Sequence, residues 1–158
     1  MNTLKIGAFI SSFRMEFIPA MDKAKELGLV GMEFANVPGI DVFLPISDGQ
    51  AAYIRKAFEE RDMYISSICG EVGGFNCADS AEAAAKVSRV KTVMDNGVKL
   101  GTKIIQLHIG SVPEDKECPG YKNLTASLTE LEAYGRAIDM YIATETGPEA
   151  GNTLSAYL

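Results

Sequence analysis

The strongest constraint on the fold is a repeated alternation between short apolar segments and longer segments of helical periodicity. The short segments are rich in apolar and β-branched residues and cover residues 4–10, 31–35, 63–69, 103–109 and 140–145. Between them, apolar residues recur every three or four positions over residues 17–26, 50–61, 81–100 and 124–138, which is typical of helices that bury one face. The alternation predicts an α/β fold with a parallel sheet covered by helices.

Residues at the ends of the predicted helices support this reading. Ser47 and Asp79 each stand three residues before a Gln or Glu, the spacing of a capping box at a helix N-terminus. Gly101 follows the third helix, where a left-handed residue often ends a helix. Within that helix, Lys91 and Asp95 are spaced as an i,i+4 ion pair on a solvated face.

Two architectures fit the alternation: an open doubly wound sheet, or part of a (β/α) barrel. No glycine-rich phosphate turn follows the first strand, where residues 11–15 read SSFRM, so the dinucleotide-binding fingerprint is absent. The chain has 158 residues and five predicted strands, whereas a complete barrel has eight units in roughly 250 residues. At this length we expect a single domain over residues 1–158.

The amino-acid composition limits which partners the protein is expected to bind and which cellular compartment it is expected to occupy. The formal net charge is −6, which opposes binding to a nucleic-acid backbone. No segment has the length and apolarity of a signal peptide core or a membrane helix. The three cysteines, Cys69, Cys77 and Cys118, fit neither a disulfide framework nor a zinc pair, so we expect reduced thiols in the cytoplasm.

The carboxyl ends of the strands are where ligands bind in either α/β architecture. This rule selects polar residues and glycines strand by strand. They are Glu33 and Asn36; Cys69, Gly70, Glu71 and the Gly73-Gly74 turn; Gln106, His108 and Gly110; and Glu145, Thr146, Gly147 and Glu149.

Each ionisable candidate has both a functional and a structural interpretation. His108 is the single histidine and shares a strand face with Gln106; it is either a satisfied core residue or a functional group. Glu145 ends the fifth strand and is either a ligand of a divalent ion or a salt-bridge partner. Glu33 and Glu71 provide acid–base capacity or substrate hydrogen bonds, or they are ordinary loop carboxylates.

Four segments resemble a known family, the xylose isomerase-like TIM barrels. They are residues 5–7 (KIG), 28–33 (GLVGME), 100–110 (LGTKIIQLHIG) and 143–149 (ATETGPE). The family includes sugar-phosphate isomerases and epimerases and the apurinic endonuclease family 2 proteins. The resemblance runs over essentially the whole chain and covers the first five of the family's eight units. It implies an α/β fold that is an incomplete TIM (β/α) barrel of about five parallel βα units.

The resemblance also implies a function and a set of site residues. It implies a metal-dependent isomerase or epimerase acting on a sugar or sugar phosphate by proton or hydride transfer beside the carbonyl. Glu145 matches the family's first metal ligand, for Mn²⁺, Mg²⁺, Co²⁺ or Zn²⁺, and is a catalytic residue with His108. His108, Gln106, Glu33 and Glu71 are then substrate-binding residues.

The remaining metal ligands of the family lie on strands six to eight, which have no counterparts here. We therefore expect a truncated or frameshifted product or a natural half-barrel, with an incomplete metal shell or no cofactor. The alternative is a non-catalytic half-barrel assembly or small-molecule binding module. Because a half-barrel leaves strand edges and its inner face uncovered, we expect a homodimer.

Overall fold

A computed structural model describes residues 4–145 and 150–158, in which strands and helices alternate. A short 3-10 helix, Ile10–Phe13, follows the first strand. The strands are β1 (Gly7–Phe9), β2 (Gly31–Phe34), β3 (Tyr64–Cys69), β4 (Ile104–His108) and β5 (Tyr141–Glu145). The α-helices are α1 (Phe17–Glu26), α2 (Asp48–Glu59), α3 (Ser80–Leu100), α4 (Pro119–Ile138) and α5 (Gly151–Tyr157).

The strands form one parallel sheet in the order β1-β2-β3-β4-β5. A doubly wound sheet reverses its strand order at a switch point, whereas this sheet proceeds in chain order without reversal. The predicted α/β fold of five parallel βα units is therefore confirmed, and its architecture is a half-barrel of the TIM type. Among the described residues, β1 and β5 each pair with one neighbouring strand.

Alternation along β4 separates a buried outer face from an inner face. On β4, Ile105 and Leu107 are fully buried in the core shared with the helices, while Gln106 and His108 lie on the inner face and are partly exposed. The β4–β5 register places His108 opposite Glu145. The sheet thus directs polar side chains to the inner face at its carboxyl edge.

Capping side chains begin α2 and α3 where the sequence predicts them. The Ser47 hydroxyl oxygen accepts a hydrogen bond from the backbone N–H three residues on, and the Asp79 carboxylate accepts one from the N–H two residues on. The third helix ends at Gly101, which has a φ of +81°. α4 begins five residues earlier than the apolar periodicity indicates, because the Cys118 thiol caps it and Pro119 occupies its first position.

The expected Lys91–Asp95 pair is wrong. Lys91 forms an ion pair with Glu130 of α4 at 2.6 Å, and Asp95 accepts a hydrogen bond from the hydroxyl of Tyr134 on the same helix at 2.6 Å. Helix packing brings α4 within reach of both side chains, so contacts between helices replace the contact within α3. Exposed pairs of this kind contribute little to stability.

A buried asparagine ties the long β2–α2 connection to α3. Asn96 is 1% exposed. Its Oδ1 accepts a hydrogen bond from the Ile46 N–H at 3.1 Å, and its Nδ2 donates to the carbonyls of Val42 at 2.8 Å and Leu44 at 2.9 Å. One side chain therefore satisfies three backbone groups of a segment that has no regular ladder of its own.

We expect Asn96→Ala to lower the free energy of unfolding by roughly 2–3 kcal/mol, because it leaves buried backbone groups without partners. Urea denaturation followed by circular dichroism measures this loss. Asn152→Ala is the matched control, since Asn152 is exposed on α5. Equal stabilities of the two variants would contradict the bracing role of Asn96.

Candidate functional site

The inner face forms a cleft at the carboxyl ends of the strands. Its volume is about 430 Å³. It is lined by Phe9, Glu33, Cys69, Glu71, Gln106, His108 and Glu145. The five residues that the family resemblance assigns to the site lie on three strands or in the loop after a fourth, and all five line this one cleft.

A larger groove of about 620 Å³ lies along the outer side of β5. It is lined by residues of α4, β5 and α5, including Tyr121, Leu128, Ile142 and Tyr157. Its two opposite charges, Glu132 and Arg136, pair with each other at 3.0 Å. The smaller cleft is the candidate site, because it holds the imidazole and three carboxylates at the strand ends.

The β4–β5 pair supplies the centre of the cleft. The Gln106 amide Nε2 donates a hydrogen bond to Glu145 Oε2 at 2.6 Å. The His108 Nε2 lies 3.5 Å from the same carboxylate oxygen. These contacts follow from the register, because residues opposite or diagonal to each other on neighbouring strands share one face.

Glu71, in the loop after β3, contacts His108 from the other side. Its Oε2 accepts a hydrogen bond from the His108 backbone N–H at 3.0 Å and lies 2.7 Å from the ring Nδ1. Its Oε1 accepts from the Gly73 N–H at 2.6 Å. Partial burial opposes the charge of this carboxylate, but these N–H groups outweigh burial and hold the pKa of Glu71 below its usual value.

The loop after β3 is pinned against the end of β4, and this brings Glu71 to His108. The Phe75 N–H donates to the Ile109 carbonyl at 2.9 Å. Gly73 and Gly74 have φ values of +82° and +78°, and a Cβ on Gly74 would stand 2.6 Å from the Gly110 Cα. The Gly73-Gly74 turn therefore allows two backbones to approach closely.

Two further groups of the cleft have perturbed proton affinities. Burial raises the pKa of the Glu33 carboxyl; the Ser67 side chain opposes this shift, and the negative charge of Glu145 adds to it. Burial also raises the pKa of the Cys69 thiol. Glu33 thus holds a proton more readily than Glu71 does.

Asn36 has a different role, and the sequence does not single out one residue that lines the cleft. The Asn36 Oδ1 accepts a hydrogen bond from the Val42 N–H at 2.7 Å and so braces the β2–α2 connection. Thr146, Gly147 and Glu149 lie outside the described residues. Phe9 lines the cleft although the sequence analysis did not select it; its position at the end of β1 was the available signal.

Two side chains of the cleft stand close enough together to bind one metal ion. His108 Nε2 and Glu145 Oε2 are 3.5 Å apart, a spacing compatible with two ligands that each lie about 2.1 Å from one ion. Within residues 4–145 and 150–158, however, no group of three or more His, Cys, Asp or Glu side chains is placed to hold an ion.

A membrane-spanning helix is also not found in the part of the chain that the structure describes.

A family model described as xylose isomerase-like TIM barrel matches residues 21–156. No curated protein matches the chain. Similar solved structures are a xylose isomerase domain protein from Planctomyces limnophilus (22% identity, TM-score 0.74), a D-psicose 3-epimerase crystallised with D-fructose (18%, 0.70) and the 3-keto-D-glucoside 4-epimerase YcjR from E. coli (16%, 0.69).

The regions that align with these three structures cover 97%, 90% and 90% of this chain, respectively. This chain spans 58%, 52% and 56% of theirs, which is little more than half their length. At sequence identities of 16–22%, this similarity shows that the chain shares the fold of these proteins.

The tight approach of the two loops makes Gly74 a sensitive position. We expect Gly74→Ala to destabilise the protein by roughly 2–4 kcal/mol, because its Cβ meets backbone at a left-handed φ. Gly73 has a similar φ, but a Cβ added there would stand in open space. We therefore expect Gly73→Ala to destabilise the protein by only about 1 kcal/mol.

Urea denaturation of both variants measures the difference, and hydrogen exchange at the Phe75 amide reports whether the loop detaches from β4. Equal losses of stability in the two variants would show that the close approach to Gly110 is not the cause.

Proposed function

The chain belongs to the xylose isomerase-like TIM barrel family, and we propose on this premise that its cleft binds a sugar or sugar phosphate and takes part in its isomerisation or epimerisation. The observation that supports this most is the convergence of Glu33, Glu71 and Glu145 with Gln106 and His108 at the carboxyl ends of parallel strands. Two of the similar structures, a D-psicose 3-epimerase and a 3-keto-D-glucoside 4-epimerase, agree with this chemistry.

The chemistry of the lining suits a polyhydroxylated substrate. Carboxylates and an imidazole nitrogen accept hydrogen bonds from hydroxyl groups, and the Gln106 amide both donates and accepts. Phe9 adds an apolar surface against which the carbon face of a sugar ring packs. We assign substrate binding to Glu33, Glu71, Gln106 and His108.

Glu145 and His108 are the proposed catalytic residues. Isomerisation and epimerisation beside a carbonyl require a base that removes a proton from carbon and a group that returns it. His108 Nε2 and Glu145 Oε2 stand side by side at 3.5 Å, so both reach the same region of a bound substrate. The raised pKa of Glu33 provides a nearby carboxyl that donates a proton to a substrate oxygen.

Proton exchange tests this proposal directly. We expect deuterium to enter the carbon next to the carbonyl when the protein is incubated in D₂O with a panel of ketoses and ketose phosphates, as measured by NMR. Glu145→Gln should lower the exchange rate by at least ~100-fold, the usual scale of acid–base catalysis, whereas Glu132→Gln outside the cleft should not change it. Sugar binding without exchange would favour the alternative of a non-catalytic binding module.

Divalent ion binding belongs to the same proposal. We assign Glu145 as a ligand of Mn²⁺, Mg²⁺, Co²⁺ or Zn²⁺. We expect calorimetric titration with MnCl₂ to show binding that Glu145→Gln weakens at least tenfold, because the substitution removes the anionic oxygen ligand. Glu132→Gln serves again as the control. A wild-type protein that binds none of the four ions would contradict this part of the proposal.

A homodimer is the proposed assembly. Tyr64, Ile104 and Tyr141, at the amino ends of three neighbouring strands, are 50%, 40% and 63% exposed, and an apolar surface of this kind favours burial by a second copy. We also place the protein in the cytoplasm, supported by the three cysteines, which are free thiols. The net charge of −6 disfavours nucleic acid as a partner.

Light scattering at micromolar concentration should give twice the chain mass of 17.0 kDa. Tyr141→Glu should shift the mass to that of one chain, because it places a charge in the contact. Leu27→Glu is the control, since Leu27 is similarly exposed at the end of α1. A monomeric wild type would refute the dimer.

A further inference from the structure

Glu71 makes two contacts with one residue through a single oxygen. Its Oε2 accepts from the His108 backbone N–H at 3.0 Å and lies 2.7 Å from the His108 ring nitrogen Nδ1. An ionised carboxylate accepts hydrogen bonds and donates none. The short contact to Nδ1 is therefore favourable only when Nδ1 carries a hydrogen.

The carboxylate is held in this orientation from its other end. The Glu71 Oε1 accepts from the Gly73 N–H at 2.6 Å, so both oxygens are engaged. The loop that carries Glu71 is anchored on either side, by the Gly70 N–H on the Gln106 carbonyl at 2.8 Å and by the Phe75 N–H on the Ile109 carbonyl at 2.9 Å. The acceptor is thus fixed before any ligand enters.

We propose that Glu71 is a positioning residue that holds His108 as the Nδ1–H tautomer and presents its Nε2 lone pair to the cleft. Free imidazole side chains favour the opposite tautomer, with hydrogen on Nε2. The tautomer is inferred from the shorter contact, that of Nδ1 with Glu71, whereas the role of Nε2 toward a sugar hydroxyl rests on the proposed function.

The tautomer determines what His108 does in the cleft. With hydrogen on Nδ1, the Nε2 nitrogen and the Glu145 Oε2 atom, 3.5 Å apart, form two adjacent acceptors. Neighbouring hydroxyl groups of a polyol each donate one hydrogen bond to such a pair. With hydrogen on Nε2, His108 would instead act as a donor and could not receive a proton at this atom.

The single histidine of the chain makes this proposal directly measurable. Long-range ¹H–¹⁵N correlation spectra of the ¹⁵N-labelled protein, at one pH where the ring is neutral, distinguish the protonated ring nitrogen from the unprotonated one. We expect Nδ1 to give the shift of a protonated nitrogen and Nε2 that of an unprotonated nitrogen. Hydrogen on Nε2 in the neutral ring of the wild type would overturn the proposal without any variant.

Variants then test whether Glu71 is the cause. We expect Glu71→Ala to lose the Nδ1–H pattern and to shift the ring toward the Nε2–H tautomer. Glu33→Gln, which changes another carboxyl of the same cleft, should keep the wild-type pattern, and dispersed amide spectra confirm that both variants fold. If Glu71→Ala does not fold, Glu71→Leu, which keeps the side-chain volume but has no acceptor, replaces it.

Persistence of the Nδ1–H tautomer without the Glu71 carboxylate would refute the positioning role. The outcome is separate from that of the deuterium exchange experiment: a protein without exchange activity but with the Nδ1–H tautomer would refute the proposed function and leave this assignment standing.

Discussion

The parallel pairing of consecutive strands is the constraint on which the rest of the structure depends. Because every strand runs in the same direction and pairs with the next strand along the chain, all carboxyl ends meet at one edge. The five-residue register between β4 and β5 then places His108 beside Glu145 without help from any loop. The outer face packs Ile105 and Leu107 against the helices, and the hydrophobic effect holds the polar residues between them on the inner face.

The sequence predicts what local periodicity controls. Side chains on β4 alternate between the two faces of the sheet, and this period of two residues is enough to place Gln106 and His108 on one face. The rule that ligands bind at the carboxyl ends of the strands is enough to select Glu33 and Glu145 with them. The Glu71–His108 contact could not be predicted in this way, because it depends on the path of a loop that Gly73 and Gly74 allow. The strand-end rule selected Asn36 for the site, and the structure assigns this side chain to the loop instead.

Errors arise where tertiary contacts replace local ones. The i,i+4 spacing predicts a Lys91–Asp95 pair, but the partner helix offers closer groups. A different, local cause applies to the start of α4: apolar periodicity predicts it at Leu124, whereas the Cys118 sulfur accepts a hydrogen bond from the Tyr121 N–H and caps the helix earlier. In the sequence, nothing distinguishes Asn96 from the exposed polar residues of a helix. Only the folded chain shows that it is buried against a loop.

The three hydrogen bonds of Asn96 join neighbouring βα units into one cooperative body. A solenoid of similar units loses its terminal repeats one at a time, because each repeat contacts only its neighbours through a common surface. Here the connection that leads into α2 is held by a side chain of α3, so detachment of the second unit would break three hydrogen bonds with the third. We therefore expect this part of the molecule to unfold in a single transition rather than by gradual fraying.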